Sequence, residues 1–486
     1  MTNNDNKTVC TRYAPSPTGS LHVGGARTAL FNYLYAKKND GKFILRIEDT
    51  DKARNITDGH IAIENDLKAL NIFPDESFSV PGSRGPYLQS QKLNRYHELA
   101  DKLLKEGKAY RCFCTGHKLE ESRQAALANN STPIYSRKCR FLSEEEIQKN
   151  LADKKPYTIR LKVDILEKYE WNDLIRGNIS VPEYSMSDYV IMRSDKSPTY
   201  NFTVTVDDFD MGITCVLRGE EHIANTPYQL ATYHALGFVD GIPNFGHLSI
   251  IVDKDRKKMS KRSEDEFNFV SGLISKGYLP EAIVNFLALL GWSHGEQEIF
   301  SHEELIKLFD ISSVSKSPAF FDIEKLNWIN HKYIQGMTQD YYLNYLIPIF
   351  TVDLGEYEQK KKLFALANKK NIYYGSQLNE LALEFYTPGK LTPDLIDILK
   401  KGKKVVSLAY DNFPRVEEDW NQTTIRNYLK QLSQVSGIKG KDFFKPLRVA
   451  CSFKEEGFEL SNVLECLGRD TVIKNLVESL EAVKSE

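Results

Sequence analysis

Residues 12–32 read RYAPSPTGSLHVGGARTALFN, and the order of residue types there decides how the N-terminal half is folded. Residues 8–13 just before and into this stretch alternate and carry β-branched side chains, as a half-buried strand does. The prolines and glycine of APSPTGS then stop regular structure. Over residues 25–38, Ala29, Leu30, Tyr33 and Leu34 recur at helical spacing, and Gly41 ends that helix ahead of KFILRIED, a second strand. Strand, loop, helix and strand in this order predict a right-handed βαβ unit on a parallel sheet. Helical stretches over 59–70 and 91–106 continue the alternation.

From about residue 109 to 182 the texture changes to cysteines, a polar helix over 119–128 and short strand-like runs such as YTIRLKV, which predicts an inserted α+β subdomain. SDYVIMRS and ITCVLRG then predict that the parallel sheet resumes, so that the nucleotide fold is split. Beyond Pro280 the pattern is helical, through LPEAIVNFLALLG and again from Tyr341 onward, without repeats or low-complexity tracts.

A chain of 486 residues exceeds one hydrophobic core and calls for several domains. Its longest apolar run, around 282–292, is about half of the roughly 20 residues that cross a bilayer. The polar start MTNNDNK shows no targeting pattern, so a cytoplasmic location is expected and a membrane partner is not. The net charge of −2 gives no global pull on a polyanion. The cations are instead gathered in VDKDRKKMSKRS, at Lys254, Arg256, Lys257, Lys258, Lys261 and Arg262.

Two clusters carry chemistry. In the first, His22, Gly24 and Gly25 stand where a helix begins, so backbone N–H groups and the positive end of the dipole face an anion. The glycines allow close approach of a base or phosphate, and His22 can donate to a phosphate oxygen as charge builds there. In the second, Lys258, Met259, Ser260 and Lys261 form a basic loop whose ammonium groups can close on a triphosphate, with Lys261 the catalytic choice.

The pair resembles the HIGH and KMSKS signatures of class I aminoacyl-tRNA synthetases. RIEDTD, PTYNFTVTVDD, RGEEH and LPEAIVNFLALLGW, with the stretch quoted first, are similar to bacterial glutamyl-tRNA synthetases over nearly the whole chain. Glutaminyl enzymes carry a proline-asparagine form of the first motif, which is absent here. The resemblance implies a split Rossmann-type parallel-sheet catalytic domain (1–108 and 188–253) with an inserted α+β acceptor-binding subdomain (109–187). A KMSKR loop with a helical stem-contact domain (254–335) and a helical anticodon-binding domain (336–486) would follow.

It also implies ATP-dependent attachment of L-glutamate to tRNA(Glu) through a glutamyl-adenylate, with Mg2+ on the phosphates. The alternative is an enzyme that also charges tRNA(Gln). In this reading Arg12 and Tyr200 receive the γ-carboxylate, Arg218 holds a carboxylate, Glu48 with Ser16 receives the α-ammonium, and Ala14 lines the same place. His22, Gly24, Gly25, Glu221, Ile251, Lys258, Met259, Ser260 and Lys261 take ATP, Ile251 through its backbone. Elementary electrostatics agrees, because a buried dianion with an ammonium needs fixed cations and a fixed anion. The family further implies a monomer, no DNA partner, and activation of glutamate only with tRNA bound.

The third cluster is Cys112-Phe113-Cys114 with Cys139. Three thiols in one short insert read as a tetrahedral zinc site or as ordinary reduced cysteines. Many relatives have Cys-x-His downstream, but Phe141 stands at the histidine's place. The fourth ligand is then Tyr135, as the resemblance offers, or His117, as general ligand chemistry offers. A queuosine-glutamylating paralogue, a small nucleotidyltransferase and a catalytically silent RNA-binding protein are the rivals. The long helical C-terminus opposes the first, RIEDTD and the arginine pair oppose the second, and intact His22, Lys261, Arg12 and Glu48 oppose the third.

Overall fold

The helix that follows the decisive stretch is buried on almost every side: Val23, Ala26, Ala29, Leu30, Phe31 and Leu34 are all fully covered. A helix covered in this way belongs at the centre of a layered domain and not on its surface. In the computed structural model of the chain, which describes residues 8–51, 55–129, 134–163, 168–182, 185–259, 266–354, 358–387, 389–413 and 419–484, this helix does lie against a parallel sheet.

The elements run β1 (Cys10–Tyr13), α1 (Val23–Lys38), β2 (Lys42–Leu45), α2 (Gly59–Ala69) and α3 (Leu93–Lys105). The insert follows, with β3 (Ala109–Cys112), α4 (Gly116–Ala128), α5 (Glu144–Ala152), β4 (Thr158–Leu161), β5 (Tyr169–Asp173), β6 (Gly177–Val181) and β7 (Val190–Met192). Then come α6 (Tyr200–Asp210), β8 (Cys215–Gly219), α7 (Thr226–Leu236), β9 (Asn244–Leu248) and β10 (Ile251–Val252). β1 pairs parallel with β2, Arg12 opposite Ile44, and β8 pairs parallel with β9. The Thr214 N–H donates to the Cys10 carbonyl at 2.9 Å, which brings β8 alongside β1 and joins the two halves of the sheet.

One expectation is corrected. SDYVIMRS does not resume the parallel sheet, because β7 pairs antiparallel with β4, which pairs antiparallel with β3. Alternation marks a strand but does not name its partner, and short antiparallel returns keep this one inside the insert. The parallel sheet resumes only at β8. The β5–β6 hairpin, read as part of the insert, reaches back instead, its Leu174 N–H donating to the Phe245 carbonyl of β9 at 2.8 Å.

Two compact units divide the chain, one of Met1–Leu273 with Pro280–Leu326 and one of Ile274–Leu279 with Asn327–Glu486. The first contains the sheet, the insert and the apolar helix Pro280–Leu289. The second is helical from Gln339–Leu346 to Arg469–Lys484 around a core that includes Leu399, Val406, Phe443, Leu447 and Leu476. No helix among the described residues is long and apolar enough to cross a membrane.

Candidate active site

His22 is the N-cap of α1, in extended backbone at φ −72° and ψ 147°, and its Nδ1 accepts the Gly24 N–H at 3.1 Å. An imidazole that accepts at Nδ1 carries its proton on Nε2, so the ring can cap the helix and still serve as a donor. A side chain at Gly25 would strike the Tyr13 hydroxyl, which explains glycine there. The β1–β2 pairing continues beyond the regular strands: Arg46 N–H donates to Tyr13 at 3.0 Å and Glu48 N–H to Pro15 at 2.9 Å. This register sets the half-buried Ala14 and Ser16 beside Glu48.

Below that loop lies a buried set of charges. Arg12 Nε donates to Asp208 Oδ1 at 3.2 Å and Arg46 Nη1 to the same oxygen at 2.6 Å, while Arg46 Nη2 reaches Glu48 at 3.3 Å. Asp207 is held by Lys92 at 2.7 Å, by the Tyr96 hydroxyl at 2.9 Å and by Gln89 at 2.7 Å. Burial pushes the Glu48 carboxyl up to about 7; Arg46 and Arg12 oppose that, and Asp208 and Asp207 add to it. Asp208 is held below the ordinary carboxylate value despite its burial by Arg12 and Arg46.

Tyr200 opens α6, with its hydroxyl 3.3 Å from His222 Nδ1. Burial raises the Tyr200 hydroxyl above its ordinary value, and the charges of Arg218, Glu48 and Arg12 all act on it. Arg218 sits on β8, 5% exposed, and its Nη1 has no hydrogen-bond partner among the described residues.

On the nucleotide side, Ile251 is buried in β10 and its carbonyl accepts the Met259 N–H at 3.1 Å. The hairpin between them is turned by Asp253, whose Oδ1 accepts the N–H groups of Asp255 and Lys257, both at 2.9 Å. It returns Lys258 to within 3.4 Å of Glu221. Burial raises the Glu221 carboxyl, but its own N–H and Lys258 hold it below the usual value. Ser260 and Lys261 lie outside the described residues.

In the cysteine cluster the three sulfurs lie within 4.8 Å of one another, with Cys114 and Cys139 at 3.5 Å. The Tyr135 hydroxyl is 3.2 Å from Cys112 and 3.6 Å from Cys114. A tetrahedron with Zn–S bonds of about 2.3 Å has edges of about 3.8 Å, so this donor set fits zinc with little movement. The His117 side chain is 84% exposed on α4, a helix with no buried residue, and faces Glu121 at 3.4 Å, so the structure does not bring it to the three sulfurs as it does Tyr135.

Comparison with known proteins follows the same lines. Residues 8–328 match the family described as tRNA synthetases class I (E and Q), catalytic domain, and residues 350–480 match an anticodon binding domain. A glutamate–tRNA ligase of Mycoplasmoides gallisepticum is 48% identical, covering 97% of this chain and 98% of its own. One from Mycoplasma genitalium is 44% identical over 98% and 99%. The chain belongs to the glutamate–tRNA ligases. A solved glutamate tRNA ligase of Elizabethkingia meningosepticum, in complex with its amino acid, superposes with a TM-score of 0.84 at 31% identity over 98% of this chain and 99% of that one.

Within this ligase, Arg46 of RIEDTD and Asp207 and Asp208 of VTVDD form a charge network that local sequence pattern does not assign. Adjacent acids in an otherwise apolar helical run were the available signal, since such groups are buried only when paired. Arg27 was also missed. It is 4% exposed, donates from Nη1 to Leu290 at 3.1 Å and from Nη2 to Ser249, and burial lowers its pKa to about 10.

Proposed function

We propose that this ligase joins L-glutamate to tRNA in two in-line steps. The α-carboxylate of glutamate attacks the α-phosphorus of ATP, the bond to the bridging oxygen breaks, and pyrophosphate leaves. The terminal ribose 2′-hydroxyl of the tRNA then attacks the mixed-anhydride carbonyl, loses its proton, and AMP departs. No protein nucleophile is needed, so catalysis comes from orientation and from charge stabilisation on the phosphates. His22 donates there from Nε2, because Nδ1 is engaged by the Gly24 N–H. Lys261 supplies an ammonium to the departing pyrophosphate, and Gly24, Gly25, Glu221, Ile251, Lys258, Met259 and Ser260 cradle the nucleotide. Mg2+ bound with ATP neutralises and orients the phosphate oxygens.

The observation that carries the reading is one buried carboxylate, Glu48, and two buried guanidinium groups, Arg12 and Arg218, whose charges all act on the Tyr200 hydroxyl. An amino acid with two carboxylates and one ammonium satisfies all three. Ser16 and Ala14 close the ammonium side. The reading extends to a monomeric cytoplasmic enzyme with tRNA(Glu) as acceptor, and to a structural zinc ion held by Cys112, Cys114, Tyr135 and Cys139. That ion would crosslink the start and middle of the insert without taking part in the reaction. Domain limits follow the split fold, with an acceptor-binding insert and a helical anticodon-binding C-terminus.

Charging of purified tRNA(Glu) and tRNA(Gln) with labelled glutamate, scored with AMP release, tests the function. Glutamate esterified to tRNA(Glu) is expected, and no esterification of either tRNA would overturn the reading.

A further inference from the structure

Arg218 is held from behind by residues that the reaction itself does not use. His247, on β9 directly opposite Arg218 in the register, is completely buried. Its Nδ1 lies 2.5 Å from Asp173 Oδ2 and its Nε2 lies 3.2 Å from Arg218 Nε. A guanidinium Nε–H can only donate, so His247 Nε2 must accept and the ring proton must sit on Nδ1, donating to Asp173. Asp173 is in turn fixed at the end of β5, its Oδ1 accepting the N–H groups of Ile175 at 3.1 Å, Arg176 at 2.9 Å and His247 at 3.1 Å. Burial keeps the imidazole below its ordinary value and therefore neutral, against the pull of Asp173. Thr226 takes a second edge of the guanidinium, accepting from Nη2 at 2.8 Å. With Nε and Nη2 engaged, the buried Nη1 is the donor left over.

We propose that Asp173 and His247 are positioning residues for glutamate recognition: they fix the imidazole as the Nδ1–H tautomer, so that Nε2 accepts from Arg218 and aims its remaining N–H groups at a substrate carboxylate. The inference rests on the reading of Arg218 as a carboxylate-binding side chain. The β5–β6 hairpin thereby takes part in the amino-acid site through Asp173 and His247.

The test is Asp173→Asn in the full-length enzyme. Three backbone donors hold the amide oxygen on the Oδ1 side, so the NH2 group takes the Oδ2 place and donates to His247 Nδ1. The ring proton is then driven to Nε2, where it meets Arg218 Nε–H, donor against donor, and can turn only to the Thr226 hydroxyl 3.2 Å away, in competition with Arg218 Nη2. Losing one charge-assisted contact of this kind is expected to raise the glutamate KM by about ten- to a hundredfold, with the ATP KM and kcat at saturating glutamate unchanged. His247→Gln carries an amide oxygen that can accept from Arg218 without a tautomer to set. The Asp173→Asn, His247→Gln double variant should therefore recover a glutamate KM below that of Asp173→Asn alone.

A purely structural role predicts the opposite, a double variant at least as impaired as the single one, and that result overturns the proposal. So does an unchanged glutamate KM in Asp173→Asn, or equal losses for glutamate and ATP. If Asp173→Asn does not fold, His247→Leu and His247→Gln decide: a higher glutamate KM for Leu supports the relay, and equal values sink it. Wild-type enzyme that fails to charge tRNA with glutamate would refute the function instead, so the two failures are distinct.

Discussion

Arg12 Nε donates to Asp208 Oδ1 at 3.2 Å, tying the first strand of the sheet to the end of α6 across 196 positions of sequence. The same oxygen also takes Arg46 Nη1, so one carboxylate compensates two guanidinium groups in a site where all three side chains are at most 5% exposed. Removing it leaves two buried cations with one nearby partner fewer. Asp208→Ala should destabilise the catalytic unit by about 3–5 kcal/mol, and Asp208→Asn by less, because the amide still accepts one hydrogen bond. Thermal melting checks this, and a wild-type melting temperature for Asp208→Ala would show that the network is not what holds Arg12.

With Nε held in this way, Arg12 can turn only its outer edge to a ligand, which is the geometry of a bidentate carboxylate reader. A glutamine amide cannot accept from both nitrogens of that edge. Arg12→Leu is expected to lower kcat/KM for glutamate by about a hundredfold or more. It should also shrink the preference for glutamate over glutamine, measured by competition in the charging assay. Retained preference would move the discrimination to another residue.

These long-range contacts mark where the sequence stops being readable. The strand, turn and helix around His22 follow from local rules, since proline and glycine punctuate, apolar spacing gives the period, and a polar residue before the helix caps it. The cap could be expected from those rules alone; that Gly25 would lie against the Tyr13 hydroxyl could not. Which strand β7 pairs with could not, nor that Asp173 would meet His247 from 74 positions away, because such pairings are set by packing and not by neighbours in the chain. Where His117 points is illegible for a related reason: proximity to Cys114 in sequence says nothing about which face of α4 it occupies, and it lies exposed beside Glu121. The family resemblance supplied roles for Arg12, Glu48 and Arg218, but not the partners that hold them.

Glu48 gives a pH dependence whose sign is fixed by its surroundings. Its carboxyl titrates near 7 in the folded protein, above its ordinary value of 4.5, so the folded state keeps a proton that the unfolded chain has lost between those values. Stability contributed by the neutral form is therefore lost as pH rises through 7. Binding of an ammonium needs the ionised form, and the trend there is reversed. The glutamate KM should fall by about tenfold per pH unit on approach to 7 from below and level off above it. In Glu48→Gln the KM should be high and flat over the same range. His222, which burial and Arg218 lower to about 4, does not titrate in that window. A pH-independent KM in the wild type would mean that Glu48 does not meet the ammonium.

The cysteine cluster makes the last case, because its fourth donor can be decided by subtraction. Burial raises the Cys112 thiol, yet the Tyr135 hydroxyl, the Cys114 N–H and Arg160 bring it below its ordinary value, whereas burial pushes the Cys114 thiol up to about 11, so without an ion the thiolate is favoured at Cys112 and not at Cys114. The Arg160 guanidinium also lies 3.9 Å from the centre of the Tyr135 ring, where its charge offsets the negative charge that three thiolates and a phenolate would bring to one ion. Metal analysis of purified protein should find one zinc per chain in the wild type and in His117→Ala. Cys139→Ser should lose it, and Tyr135→Phe should release it to a chelator faster than wild type, since water can take the phenolate's place. The insert should then melt earlier in both, because a bound ion would join β3 to the segment around Cys139 and its binding energy would be part of the folding energy. Zinc absent from wild-type protein prepared without chelator, or retained in full by Cys139→Ser, would leave the three thiols as ordinary reduced cysteines, with Tyr135 the hydrogen-bond partner of Cys112 and Cys114.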